Sequence, residues 1–165
     1  MVTYACKVQA GSVTFTPEAP GRILEMDLAP NQSLICQKDI FLCAEQSVGM
    51  EMHFNRRLGA GIFGGEGFIL QKISGPGKVF LAIPGEVHER NLAAGEKLLI
   101  DPGHIAMFEP SINYDINMMK KGLKNVIFAG EGLFLATMTA PGKVGLEAMP
   151  IANLAAKIRK YIPSK

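Results

Sequence analysis

Glu66 and Glu131 are the pair most suggestive of acid–base chemistry. Each sits in a Gly-Glu-Gly triplet, 65 residues apart, and two carboxylates held about 5–9 Å apart would serve as proton donor and acceptor. Their recurrence within matching sequence favours a structural role, because a carboxylate satisfying backbone N–H groups at a glycine-bounded bulge explains both copies at once. A second candidate is the pair His88 and Arg90. Leu24, Met26 and Leu28 form an apolar face at 64 residues' remove, where this stretch has His88, Arg90 and Leu92. Two apolar positions have become titratable or cationic, which is either a ligand or subunit contact or a face turned to solvent; the cost of burying unpaired charge favours solvent.

Other motifs lack the context their chemistry requires. Gly59-Ala60-Gly61-Ile62-Phe63-Gly64 fits G-x-G-x-x-G, but a dinucleotide site needs that loop between a strand and a helix whose N-terminus meets the pyrophosphate. Here it leads into a strand pattern and reads as a turn between repeats. Gly77-Lys78-Val79 lacks the Ser/Thr and the upstream glycine of a phosphate loop. His53, His88 and His104 are isolated and no H-x-H pair occurs, so neither a metal site nor a cofactor is expected. His53 falls on the polar face of a strand pattern, and His104, after Asp101-Pro102-Gly103, reads as a structural histidine. Cys6, Cys36 and Cys43 are odd in number and show no C-x-x-C spacing, which points to reduced core thiols in a cytoplasmic compartment.

These residues must be held by elements that the composition bounds. The chain has 165 residues, 17 Lys+Arg against 15 Asp+Glu, and 48% apolar residues, as in one soluble globular domain. No apolar run approaches a membrane span, and the first residues have no leader pattern. Residues 1–151 carry 13 basic and 15 acidic side chains, whereas 152–165 carry Lys157, Arg159, Lys160 and Lys165 and no acid. With no Trp and no aromatic RNA-binding motif, this distribution argues against nucleic acid as a partner.

Self-similarity organises the chain. Residues 63–82 align without gaps on 128–147, with ten of twenty positions identical, and a weaker echo at 64 residues matches Pro20-Gly21, Leu28-Ala29, Leu34 and Ser47 to Pro84-Gly85, Leu92-Ala93, Leu98 and Ser111. The reading is a single domain, 1–165, of about two and a half repeats: a degenerate first copy over 1–62, a complete copy over 63–127 and a half copy over 128–150. Tyr4 and Gly11 fall opposite Phe68 and Gly75, so 1–16 reads as a worn hairpin. Within each copy, Ile112, Tyr114, Ile116 and Met118, like Val48, Met50, Met52 and Phe54, alternate with polar residues or glycine in the period of a half-buried strand. Gly75-Pro76-Gly77, Ala140-Pro141-Gly142, Pro84-Gly85 and Pro102-Gly103 punctuate the runs as turns. The fold expected is all-β, in short antiparallel strands. Only 151–162 changes period: Ile151, Leu154, Ile158 and Ile162 lie at helical spacing before Pro163, predicting one helix whose stripe covers the end of the β core. Pseudo-symmetric hairpins of this kind fit a sandwich, a barrel or a short β-helix-like roll.

The phrases F-x-G-E-G-[FL]-x-L and G-P-G-K-V, with LAAGEKLLIDPGHIAMFEPSI at 92–112, resemble the bacterial and archaeal relatives of the mitochondrial altered-inheritance-of-mitochondria protein 24, over roughly residues 18–157. The resemblance implies a fold similar to that of the tryptophan-RNA-binding attenuation protein, a short double-stranded β-helix of three pseudo-symmetric repeats. Met1-Val2-Thr3 stands where a Gly-Glu-Gly triplet would fall, so the chain is expected to lack a hairpin needed for ring closure and to self-associate through the edge left over. The function expected is that of a non-enzymatic binding or scaffold module forming a symmetric homo-oligomer. An RNA-binding ring, on fold analogy alone, and a small-molecule-binding or enzymatic β-roll are the alternatives, and the basic helix leaves contact with anionic lipid as a further one.

Overall fold

Alternation at 48–54 and 112–118 becomes β-structure in the computed structural model, which describes residues 2–56, 68–118 and 134–163. In chain order the strands are β1 (Gly21–Leu28), β2 (Ser33–Gln37), β3 (Phe41–Ala44), β4 (Gly49–Arg56), β5 (Phe68–Ser74), β6 (Gly77–Pro84), β7 (Val87–Leu92), β8 (Lys97–Ile100), β9 (Ile105–Phe108), β10 (Asn113–Met118), β11 (Phe134–Thr139) and β12 (Gly142–Glu147). One helix follows, α1 (Ile151–Arg159), and 3-10 turns occupy Lys38–Ile40 and Pro102–His104. Over the described residues the chain is therefore all-β with a single C-terminal helix, as the periodicity predicts.

All named strand pairs are antiparallel, and they recur. β6 lies between β1 and β3 as β12 lies between β7 and β9, and β5 lies between β4 and β2 as β11 lies between β10 and β8. One further pairing, β2 with β9, places Ile35 opposite Phe108 and Cys36 opposite Met107. It fuses two three-stranded units into the six-stranded sheet β4-β5-β2-β9-β12-β7.

Burial divides into two clusters, one centred on each set of six strands; the β2·β9 junction exchanges side chains between them, and Phe68 and Leu70 of β5 also join the second. The first contains Leu28, Leu34, Cys36, Ile40, Val79 and Leu81, and takes in Ala106 and Met107 from β9. The second contains Leu92, Ile105, Phe108, Ile112, Met138 and Val144, and takes in Ile35 from β2. Strand alternation makes this possible, since Leu34 and Cys36 point to one side and Ile35 to the other. A buried aliphatic side chain stabilises by ~1.5–3 kcal/mol, so the exchanged residues bind the two halves firmly. Tyr114 adds aromatic contacts, with ring centroids 5.7 Å from Phe54, 6.0 Å from Phe68 and 5.5 Å from Phe108.

Two expectations need correction. Residues 2–20 form no strand, so the hairpin read into 1–16 is absent, although Tyr4 and Phe15 meet edge to face with centroids 5.7 Å apart. Nor does α1 cap the core with its apolar stripe: none of its residues is buried, and Ile151, Ile158 and Ile162 are 47%, 49% and 63% exposed. The helical period was real, but period reports amphipathicity and leaves open what covers the apolar side.

Candidate functional site

Turn chemistry accounts for the polar side chains that the fold brings together most regularly. Entering β6, the Lys78 amide donates to Glu45 Oε2 at 2.9 Å while the Glu45 amide donates to the Lys78 carbonyl at 2.9 Å. Entering β12, the Lys143 amide donates to Glu109 Oε2 at 2.9 Å and the Glu109 amide to the Lys143 carbonyl at 3.0 Å. Gln32 and Glu96 form a second such pair. The side-chain oxygen of each accepts from an amide three residues back, Ala29 or Ala93, at 3.0 Å. Their carbonyls accept from Gly75 and Ala140, at 3.0 and 3.1 Å. Each bond of the first set thus has a counterpart 64 or 65 residues on. Gly77 and Gly142 complete the arrangement, with φ of +133° and +149°; a Cβ on either would meet Ser47 Oγ or Ser111 Oγ at 2.6 Å. Only glycine fits there.

Sequence reasoning passed over Glu45, Glu109, Gln32 and Glu96, although the 64-residue echo runs through all four. Glu66 and Glu131, which it singled out, lie outside the described residues, as does Gly59–Gly64. His88 and Arg90 lie on β7, opposite Leu146 and Val144 of β12. Both are exposed. Arg90 is tied to Glu96 through an ion pair. The Ala93 amide first, and Arg90 after it, hold the Glu96 carboxyl below the usual range. His53 is exposed on β4. Among the described residues, no three His, Cys, Asp or Glu side chains converge in a way that would hold a metal ion.

His104 is structural, and its role is specific. Its Nδ1 donates to the Glu147 carbonyl at 2.8 Å, which leaves Nε2 to accept from Asn153 Nδ2 of α1 at 3.3 Å. The imidazole thereby links a 3-10 turn, the end of β12 and the first turns of the helix. Beside it, the Glu147 side chain is 5% exposed. Burial, and to a lesser extent the charge of Asp39, push its carboxyl up to about 7. Cys36 is buried and its thiol is pushed up to about 12 by that burial, which makes it inert; Cys43 is half-buried and Cys6 exposed, and all three are free.

A cleft of about 370 Å³ opens where the halves meet, walled by Met26 and Leu34 on one side and Met107, Glu109 and Lys143 on the other. Its volume falls in the lower part of the range for small-molecule sites. Two of its polar groups are already engaged: Glu109 accepts from the Lys143 amide, and Lys143 Nζ lies 2.8 Å from Glu89.

The strands and their clamps define, over the described residues, an all-β protein in which Gln32, Glu45, Glu96 and Glu109 secure turns, followed by an exposed helix. The chain belongs to the family described as mitochondrial biogenesis AIM24, whose model matches residues 1–149, as the motifs at 63–82 and 92–112 led us to expect. No curated protein sequence matches the chain. Among solved structures it is similar to the X-ray crystal structure of protein SPYM3_0169 from Streptococcus pyogenes, with a TM-score of 0.70 and 22% identity, over 88% of this chain and 62% of that one. At that identity the likeness shows the fold. The chain spans 62% of the streptococcal one, and among the described residues no helix is long and apolar enough to cross a membrane.

Proposed function

We propose that the chain is a non-enzymatic binding or scaffold module that assembles into a symmetric homo-oligomer in the reducing cytoplasm. One observation carries this reading: the carboxylates and amide best placed for chemistry, Glu45, Glu109, Gln32 and Glu96, are committed to backbone amides at turns, while large apolar side chains lie uncovered. Met52 is 68% and Leu99 64% exposed, on strands whose Met50, Phe54, Leu98 and Ile100 are half-buried. Exposed apolar surface on strand edges is suited to recognising another chain. Three free thiols fit a reducing compartment.

Sedimentation of the purified protein across the micromolar range tests the reading. It calls for species of two or more chains, and a single-chain mass throughout would count against it. A second reading, a small-molecule-binding β-roll, draws support from the cleft at the junction of the halves. A thermal-shift screen of compounds small enough for about 370 Å³ would favour it if any hit lost its effect on Met107→Trp substitution.

A further inference from the structure

Two strands of this fold have an open edge where their counterparts in the other half have a neighbour. β8 stands to β11 as β2 stands to β5, and β3 stands to β6 as β9 stands to β12. Yet β2 and β9 pair with each other, whereas among the described residues β8 and β3 each end a sheet. β1, β7, β4 and β10 also end sheets, but β1 matches β7 and β4 matches β10, so those edges are open in both halves. Only β3 and β8 break the correspondence.

Side chains at these two strands are built as if the neighbour were present. β9, Ile105–Phe108, is buried throughout, and its counterpart β3, Phe-Leu-Cys-Ala, is equally apolar but only half-buried. Ile35 of β2 is 2% exposed because it enters the opposite cluster, and its counterpart Leu99 of β8 is 64% exposed. Phe41 and Ala44 pack on their own cluster, while Leu42 and Cys43, counterparts of the exchanged Ala106 and Met107, do not join it.

We propose, on the basis of the scaffold reading above, that β8 of one copy pairs antiparallel with β3 of a second copy in the register of the β2·β9 junction. Leu99 then lies opposite Ala44 and Ile100 opposite Cys43. Leu99 enters the second copy's cluster around Leu81, and the second copy's Leu42 and Cys43 enter the first copy's cluster around Phe108. A second copy is the occupant because the two edges are each other's complements, continuing a junction the chain already makes internally. The contact is head-to-tail, so every copy keeps one donor and one acceptor edge, and assembly proceeds to a closed ring or an open row. One feature of the internal junction is not reproduced. Gln37 Nε2 donates to carbonyls of the Pro102–Ile105 stretch, but its counterpart Asp101 carries a carboxylate that accepts from the Gly103 amide at 2.9 Å. Lacking that donor, the junction between copies is the weaker one and dissociates on dilution.

The test pairs two single variants. Leu99→Arg disables the β8 edge and Leu42→Arg the β3 edge. Each alone should fall to the mass of one chain, with an unchanged circular dichroism spectrum, and an equimolar mixture should give a dimer and nothing larger, formed through the one intact edge of each. In a second experiment, Ile100→Cys in a Cys6→Ser background should form disulfide-linked multimers on mild oxidation, and adding Cys43→Ser should abolish them. If the parent protein assembles but the variants assemble as well as the parent, or the link from position 100 to Cys43 does not form, the edge assignment is wrong while the scaffold reading stands. If the parent is a single chain at every concentration, both fall.

Discussion

At the scale of single residues, the glycines after Pro76 and Pro141 and the buried Glu147 give the sharpest expectations. Gly142→Ala places a Cβ against Ser111 Oγ at a φ of +149°, and we expect a loss of about 1–3 kcal/mol, measured by urea denaturation. Ser111→Gly in the same chain should relieve the closest contact and leave the backbone part and the contact with Ile112, whose Cδ1 and Cγ1 lie 3.0 Å from that Cβ. Glu147 sets a pH dependence whose sign is unusual for an acid. Its carboxyl, at about 7 instead of the usual 4.5, holds a proton that the unfolded chain has already released. Stability therefore falls as pH rises from about 4.5 to about 7, by at most ~3 kcal/mol for a gap of that size. Glu147→Gln should flatten the slope, and a denaturation midpoint that rises over that range in the parent would contradict the assignment. The sequence advertised the glycines through the repeated G-P-G and A-P-G turns, but it hid Glu147. A glutamate at the end of an apolar strand looks the same whether it points to solvent or to Asp39.

Elements show where periodicity was a sound guide and where it stopped. The strands at 48–54 and 112–118 and the helix from 151 follow from spacing alone, because alternation and a 3.6-residue stripe are properties of the local chain. What α1 packs on is a tertiary matter, and its two isoleucines, with Ile162 just beyond it, lie substantially exposed. The helix is fastened mainly at its start, by Asn153 to His104. Deleting 151–165 should therefore cost about 0.5–1.5 kcal/mol, the worth of a hydrogen bond, rather than the several kcal/mol that a core-capping helix would cost. Thermal melting of the truncated chain beside Asn153→Ala checks this, since the two should shift alike. Charge reversal at Lys157, Arg159 and Lys160, all exposed, should leave the melting temperature nearly unchanged.

For the whole molecule, the self-similarity of the sequence does not say which strands meet across the halves. The β2·β9 pairing joins residues about 70 positions apart, and apart from Gln37, whose side-chain amide donates across the junction where the counterpart is Asp101, the apolar residues of Ser33–Gln37 and Lys97–Ile100 do not tell which strand finds a neighbour. The difference lies in what stands beside each, and from it follows the account's central claim: β3 and β8 are interior strands in all but their surroundings, and copies of the chain complete one another. Amide hydrogen exchange measured at two protein concentrations tests this most directly. We predict that Phe41–Ala44 and Lys97–Ile100 exchange several-fold more slowly at high concentration than at low, while β1 and β7, edges in both halves, exchange at the same rate in the two. Exchange at β3 and β8 that is fast and independent of concentration would contradict the claim.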